Sequence, residues 1–147
     1  MNKATALISV VLCLSLGSAA ADDPTALIQE GEASLKAGEI DSGLALFRQA
    51  VQTDPGSSLA HTRLGGALLL KQENAEAIEI FRKAIMLNGD NADAFVGMAI
   101  AYLHSGDYTL ARASLEEAKR IDPAKAPKVD ELIAHIDQRE SGDGGTH

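Results

Sequence analysis

A large apolar residue followed three positions later by alanine recurs every 34 residues along this chain. The pair occurs as Phe47 and Ala50, as Phe81 and Ala84, and again as Leu115 and Ala118. Self-similarity at a fixed spacing of about 34 residues is typical of stacked helical hairpins, because each hairpin can bury its apolar face only against the next one. The period therefore predicts an all-α array.

Windows of 34 residues that begin at Pro24, Ser58 and Ala92 share further positions. The eighth place holds a small residue in every window: Gly31, Gly65 and Ala99. The twentieth place is also small: Gly43, Ala77 and Ala111. The thirty-second place holds proline or glycine: Pro55, Gly89 and Pro123. This pattern resembles the tetratricopeptide repeat, whose unit is a helix, a turn and a second antiparallel helix. Small residues let the two helices approach closely, and proline stops the second helix because it lacks an N–H.

The aromatic residues support the same resemblance. The chain has three phenylalanines, two tyrosines and no tryptophan, and all five aromatics fall where this repeat carries a large apolar residue: Phe47, Phe81, Phe95, Tyr102 and Tyr108. The first two windows depart from the pattern. Gln72 replaces the turn glycine and Gly89 the terminal proline of the second window, and Glu30 and Ser34 stand at core places of the first.

The resemblance implies an all-α, right-handed superhelical solenoid of antiparallel helix hairpins. We expect three repeats, over residues 24–57, 58–91 and 92–125, within a domain that spans residues 22–139. Apolar residues at helical spacing predict an amphipathic capping helix over about 126–139, which covers the open face of the last repeat: Val129, Leu132, Ile133 and Ile136. The glycine-rich residues 140–147 are expected to form a flexible tail.

Helix-capping residues and turn glycines agree with this division. Asp23 before Pro24, Ser57 and Asn91 are expected to cap first helices, and Asp41, Asn74 and Asp107 to start second helices. Gly38 and Gly106 fit tight turns within the hairpins.

The N-terminal residues have the features of a secretory signal peptide. Lys3 precedes an uncharged apolar run, Ala6 to Gly17, which is too short to span a membrane, and small residues follow it. We expect cleavage after Ala21, with Ala19 and Ala20 as alternatives, and a periplasmic or secreted protein without a stable membrane anchor. Leu12 before the single cysteine, Cys13, disfavours a lipoprotein signal.

The charge of the chain excludes some classes of partner. The net charge is −8, and removal of residues 1–21 would leave 12 basic and 21 acidic residues, a net charge of −9. Nucleic acid and anionic membrane surfaces are therefore disfavoured, because both bind clustered Lys and Arg. The sequence predicts no enzyme: it has no catalytic motif, no cofactor motif and no histidine pair at metal-ligand spacing.

In tetratricopeptide proteins the first helix of each hairpin lines a concave face, along which ligand peptides lie. The resemblance assigns to this partner-binding groove Ile28, Glu32, Lys36, Thr62, Arg63, Gly66, Leu70, Asp93, Val96, Gly97, Ile100, Leu103 and His104. Members that bind chaperones hold a terminal carboxylate there with Lys, Asn and Arg. Here the corresponding places are Ile28, Glu32, Arg63, Asp93 and Gly97, so that clamp is absent.

The floor of the expected groove is largely apolar, with Leu70, Val96, Ile100 and Leu103 near one another and with Gly66 and Gly97 removing side chains. Such a surface suits an amphipathic helix or an extended apolar segment. An alternative reading is that Leu35, Leu69 and Leu103 pack between first helices or against the capping helix. His104 is either a groove residue or a solvated helix end.

The sequence thus predicts a protein–protein interaction module, or adaptor, of the bacterial periplasm that binds a partner peptide or helix. Two alternatives remain open. One is an accessory or assembly subunit of an envelope complex, of the cytochrome-maturation or outer-membrane-assembly type. The other is a scaffold that assembles with copies of itself.

Overall fold

The computed structural model describes residues 23–143, which contain seven α-helices and no strand. The predicted signal peptide, Cys13 and residues 144–147 of the predicted tail lie outside this range. The helices are α1 (Pro24–Lys36), α2 (Ile40–Thr53), α3 (Ser58–Leu70), α4 (Asn74–Leu87), α5 (Ala92–His104), α6 (Tyr108–Ile121) and α7 (Ala126–Asp143), with a 3₁₀ helix at Pro123–Lys125.

Successive helices pack as hairpins. The most extensive contacts join α1 with α2, α3 with α4, and α5 with α6, and each hairpin then packs on the next. The first helices are neighbours, because α3 contacts both α1 and α5. The predicted all-helical solenoid is therefore confirmed.

The small and large positions of the period meet inside each hairpin. Phe47 and Phe81 are 0% and 2% exposed. A methyl group added at Gly31 would lie 2.6 Å from the Phe47 ring, and one added at Gly65 would lie 2.7 Å from the Phe81 ring. Glycine is required at both places because the ring occupies the space of a side chain.

Side chains cap four helices as the sequence predicts. Backbone N–H groups of the first turns donate to Asp23 Oδ1 (2.9 Å), Ser57 Oγ (3.1 Å), Asn91 Oδ1 (2.9 Å) and Asp107 Oδ1 (3.0 Å). Asn74 is the first residue of α4, as expected, whereas α2 starts at Ile40, one residue before Asp41. The residues that precede α2 and α4 are Glu39 and Glu73, two periods and one period before Asp107, and neither side chain makes a cap hydrogen bond.

The three turns inside the hairpins share one backbone geometry. Gly38 and Gly106 have φ of 81° and 78°, in the left-handed region that glycine adopts without steric cost. Gln72 stands at the same place of the period with φ of 61°. Its N–H donates to Leu69 O at 2.9 Å, as Gly38 N–H and Gly106 N–H donate to Leu35 O and Leu103 O.

Helix α7 closes the array. Val129 and Ile136 are fully buried in a cluster with Leu115 of the third hairpin. The helix runs to Asp143, beyond the end predicted at residue 139. Ser141 Oγ supports these last turns by donating to Asp137 O at 2.7 Å, and Arg112 of α6 pairs with Asp137 and Glu140.

Candidate partner-binding face

Helix α3 presents an open stripe at the centre of the expected groove. Leu59, Arg63, Gly66 and Leu70 follow one another at intervals of four, three and four residues, which places them on one side of a helix. A methyl group added at Gly66 would meet nothing within 4 Å. The Leu70 side chain is 56% exposed, so this side of α3 offers unoccupied apolar surface.

An ion pair links this stripe to the first hairpin. Arg63 Nε donates to Glu32 Oε1 of α1 at 2.5 Å, and both side chains are about one-third exposed (37% and 35%). The Arg63 guanidinium, which is the basic group among the places that correspond to the carboxylate clamp, is therefore already paired within the protein. Lys36, one turn beyond Glu32, is exposed.

Helix α5 contributes a less open surface. Val96 and Leu103 are partly buried against the core of the third hairpin, while Ile100 is partly exposed. Asp93 pairs with Lys125 Nζ at 2.5 Å, and this hydrogen bond raises the pKa of Lys125 above its ordinary value. His104 is exposed, with its Nδ1 3.3 Å from Asn74 Oδ1.

Three residues assigned to the groove are buried instead. Ile28 belongs to the core of the first two hairpins and is 7% exposed. Thr62 Oγ1 donates to Ser58 O and accepts from Asn91 Nδ2, both at 2.8 Å. Gly97 faces the Phe81 ring, which fills the place of a side chain even more closely than at Gly65.

In the groove floor, the space beside Gly66 is therefore open, whereas the space beside Gly97 is filled by the Phe81 ring. The physical reason is that α4 and α5 approach each other until the Phe81 ring meets the Gly97 backbone. Leu35, Leu69 and Leu103 are partly buried against the two core clusters, which is the packing role that the sequence left open for them.

A cleft between α5 and α7 was missed by the sequence reasoning. It has a volume of about 520 Å³ and extends from α5 to the capping helix. Its walls are Ile100, Leu103, His104, Tyr108, Lys128, Leu132, His135 and Arg139. The intervals of four, three and four residues from Lys128 to Arg139 could have revealed that these α7 residues share one face.

A second depression of about 670 Å³ lies where α3 and α5 begin. Its polar walls combine both signs of charge and include Arg63, Asn91, Asp93 and Lys125. Because these groups already bond with one another or with neighbours, the depression offers a partner few free polar atoms.

Within residues 23–143 no group of three His, Cys, Asp or Glu side chains has an arrangement that could hold a metal ion. Over the same range, no helix combines the length and the apolar character that crossing a bilayer requires.

Comparisons with known proteins agree with the architecture. Two family models, both described as tetratricopeptide repeat, match residues 28–91 and 68–136. The chain is 26% identical over 112 residues to the STIP1 homolog of Dictyostelium discoideum, covering 76% of this chain and 20% of that protein. It is 34% identical over 85 residues to Hsc70-interacting protein 1 of Drosophila melanogaster, covering 57% and 22%. The chain thus spans about a fifth of these relatives.

Solved structures share the fold at low identity. The first tetratricopeptide domain of human RPAP3 superposes with a TM-score of 0.79 at 16% identity, covering 86% of this chain and 99% of the domain. The first such domain of Spaghetti (RPAP3), solved bound to the HSP90 peptide SRMEEVD, gives 0.77 at 17% identity, covering 82% and 95%. The two family matches overlap at residues 68–91 and together cover residues 28–136, so the chain contains tetratricopeptide repeats over this range.

Proposed function

We propose that this protein is a protein–protein interaction module that holds a segment of another protein against the exposed side of its first helices. The observation that carries the proposal is the open stripe on α3, where Leu70 is 56% exposed and Gly66 leaves unfilled space. Exposed apolar surface on a folded domain is stabilised when a partner covers it. The module is proposed to have three repeats, one for each hairpin, and no catalytic role.

The relatives support a peptide partner as a class. The Spaghetti domain was solved with a bound HSP90 peptide, and the Drosophila relative is named for its interaction with Hsc70. The same acidic terminal peptide is a poor fit to the first-helix groove of this chain. Arg63 is paired with Glu32, Asp93 would repel a carboxylate, and Ile28 is buried.

The proposed location is the bacterial periplasm or the exterior, reached through a signal peptide cleaved after Ala21. In that setting a role as accessory or assembly subunit of an envelope complex is the narrower version of the proposal. Self-assembly through stacked ends is less well supported, because α7 covers the last hairpin with Val129 and Ile136. Light scattering of the purified chain over a range of concentrations distinguishes a scaffold, which grows in mass, from an adaptor, which does not.

The experiment that tests the binding face compares two matched substitutions. Leu70→Glu places a charge on the open stripe of α3, and Met86→Glu places the same charge on α4, where Met86 is 80% exposed. Partners captured from the native envelope fraction are quantified by mass spectrometry. We expect Leu70→Glu to lose the partner and Met86→Glu to retain it, with equal thermal stability of the two variants. Retention by both variants would refute the proposed face.

A further inference from the structure

The cleft between α5 and α7 is built by a face of the capping helix that does not pack in the core. Val129 and Ile136 point into the third hairpin and are fully buried. Lys128, Leu132 and His135 belong to the adjacent face, and they line the cleft opposite Ile100 and Leu103 of α5. Helix α7 therefore serves two surfaces, one that closes the core and one that remains accessible.

The floor of this cleft is apolar and open. Ile100, Leu103 and Leu132 are each partly buried, so they retain surface that a partner side chain can cover. The volume of about 520 Å³ lies within the range of roughly 300–1,000 Å³ that is typical of binding sites. Because the floor is open rather than enclosed, it suits side chains projecting from a polypeptide that lies along the cleft.

The rim is basic although the protein is acidic. The whole chain has a net charge of −8, but the cleft walls contain Lys128, Arg139, His104 and His135 and neither Asp nor Glu. Lys128 Nζ is 3.0 Å from Glu131 Oε2 on its own helix, so part of its charge is offset.

Arg139 makes no ion pair within residues 23–142. The nearest acids along α7, Asp137 and Glu140, pair with Arg112 of α6 instead. The Arg139 guanidinium is thus available to a carboxylate from outside, and its planar fork matches a carboxylate's two oxygens.

We propose that this cleft receives an acidic segment of another protein, with apolar side chains between Ile100, Leu103 and Leu132 and with carboxylates facing Arg139 and Lys128. Charge complementarity selects the occupant, because the cleft presents positive charge on a protein that otherwise repels acidic chains. The inference rests on the proposed function and names the chemistry of the partner at one end of its binding face.

The probe is a set of three fluorescein-labelled peptides of equal length with the same leucines, differing only in whether Glu, Gln or Lys stands between them. Affinities for the full chain are measured by fluorescence anisotropy. We expect the Glu peptide to bind about tenfold more tightly than the Gln peptide, and the Lys peptide to bind more weakly than either. The difference should nearly vanish at about 1 M NaCl, where the Debye length is about 3 Å.

Arg139→Gln tests the rim, and Lys83→Gln on α4 is its control, because Lys83 is also exposed and without an ion pair among the described residues. Arg139→Gln should weaken the Glu peptide about three- to fivefold, the size of one partly exposed ion pair, while the control leaves it unchanged. Circular dichroism checks that both variants are folded.

Equal affinity for the three peptides, absence of binding, or insensitivity to Arg139→Gln would each overturn the acidic-segment proposal. So would displacement of the Glu peptide by micromolar dodecanoate, which would assign the cleft to a lipid. A dimer lost on Arg139→Gln would assign it to a second copy of this chain. The proposed function is judged separately, by the capture experiment on Leu70→Glu, whose mutated residue does not line this cleft.

Discussion

The junction between the first and second hairpins and the junction between the second and third are held together by different chemistry. At the first junction, three ion pairs reach across at the surface. Arg63 pairs with Glu32 at 2.5 Å, Arg48 pairs with Glu76 at 3.3 Å, and Lys71 pairs with Asp41.

The second junction relies on close packing and hydrogen bonds, and within residues 23–142 no ion pair crosses it. The Phe81 ring fills the space beside Gly97 of the following hairpin. The Asn91 amide donates to Ser58 Oγ at 2.7 Å and to Thr62 Oγ1 at 2.8 Å, and it is partly buried. Arg82 of α4 also reaches across, but its Nη2 donates to the Tyr102 hydroxyl at 3.2 Å and not to a carboxylate.

The contrast originates in single positions of the period. The sixth place of the window is Arg63 in the second repeat and Gly97 in the third. A long side chain at this place bridges to the preceding first helix, whereas glycine admits the aromatic ring of the preceding second helix. One repeat pattern can therefore produce a salt-sensitive junction and a salt-insensitive junction in the same array.

The largest effect is expected for Asn91→Ala. The substitution removes the cap of α5 and two donated hydrogen bonds, so we expect a loss of roughly 2–3 kcal/mol in the free energy of unfolding. Asn91→Asp keeps the cap oxygen and loses only the donors, and should cost about half of that. Urea denaturation provides both values. An unchanged unfolding midpoint in Asn91→Ala would contradict the role given to this amide.

Gly97→Ala should be the next most damaging change. The added methyl group would overlap the Phe81 ring, which is 2% exposed and has little room to move. Overpacking of this kind costs about 1–3 kcal/mol, reduced by the higher helix propensity of alanine, so a net loss of roughly 1–2 kcal/mol is expected. A stabilised variant would show that α4 and α5 can separate freely.

Gly66→Ala is the matched substitution on α3 and should act in the opposite direction. The added methyl group meets open space, and replacing a glycine inside a helix with alanine gains roughly 0.5–1 kcal/mol. Thermal unfolding of the two alanine variants side by side measures the difference between the two positions. Destabilisation at Gly66 would mean that its surface is not open.

The smallest effect is expected at the ion pair of the first junction. Glu32→Gln should cost only about 0.2–1 kcal/mol, because the pair is partly exposed. The loss should shrink at about 1 M NaCl, where charges are screened within about 3 Å. Urea denaturation at low and high salt separates this case from Asn91→Ala, whose loss should persist. A salt-independent loss of stability for Glu32→Gln would contradict the view that ion pairs make the first junction sensitive to salt.

The sequence was a good guide wherever the relevant contact lies inside one repeat. Gly31 beneath Phe47, Gly65 beneath Phe81, the turn at Gly106 and the cap at Asp107 all follow from spacing within a window. These contacts join residues whose relative position is fixed by two helices and a short turn.

Contacts between repeats were harder to predict. Gly97 and Gly66 stand at the sixth and ninth places of their windows, and both were expected in the groove floor, yet only Gly97 meets an aromatic ring of the preceding hairpin. Whether a place meets such a side chain depends on the angle between neighbouring hairpins. The pairing of Arg63 with Glu32 and the basic rim at Arg139 depend on the same angle. A repeat pattern does not contain that angle, because it arises from the sum of many side-chain contacts along the interface.

The capping helix also determines where an engineered array of this kind can grow. A further hairpin inserted between Ile121 and Ala126 would pack on the apolar face of the third hairpin that Val129 and Ile136 now cover. Helix α7 could then pack on the last face of the longer array. A hairpin added behind α7 would meet the exposed polar side chains of Asp130 and Gln138 in place of a buried apolar face like that of Val129 and Ile136. New hairpins should therefore be inserted before α7 and not added after it.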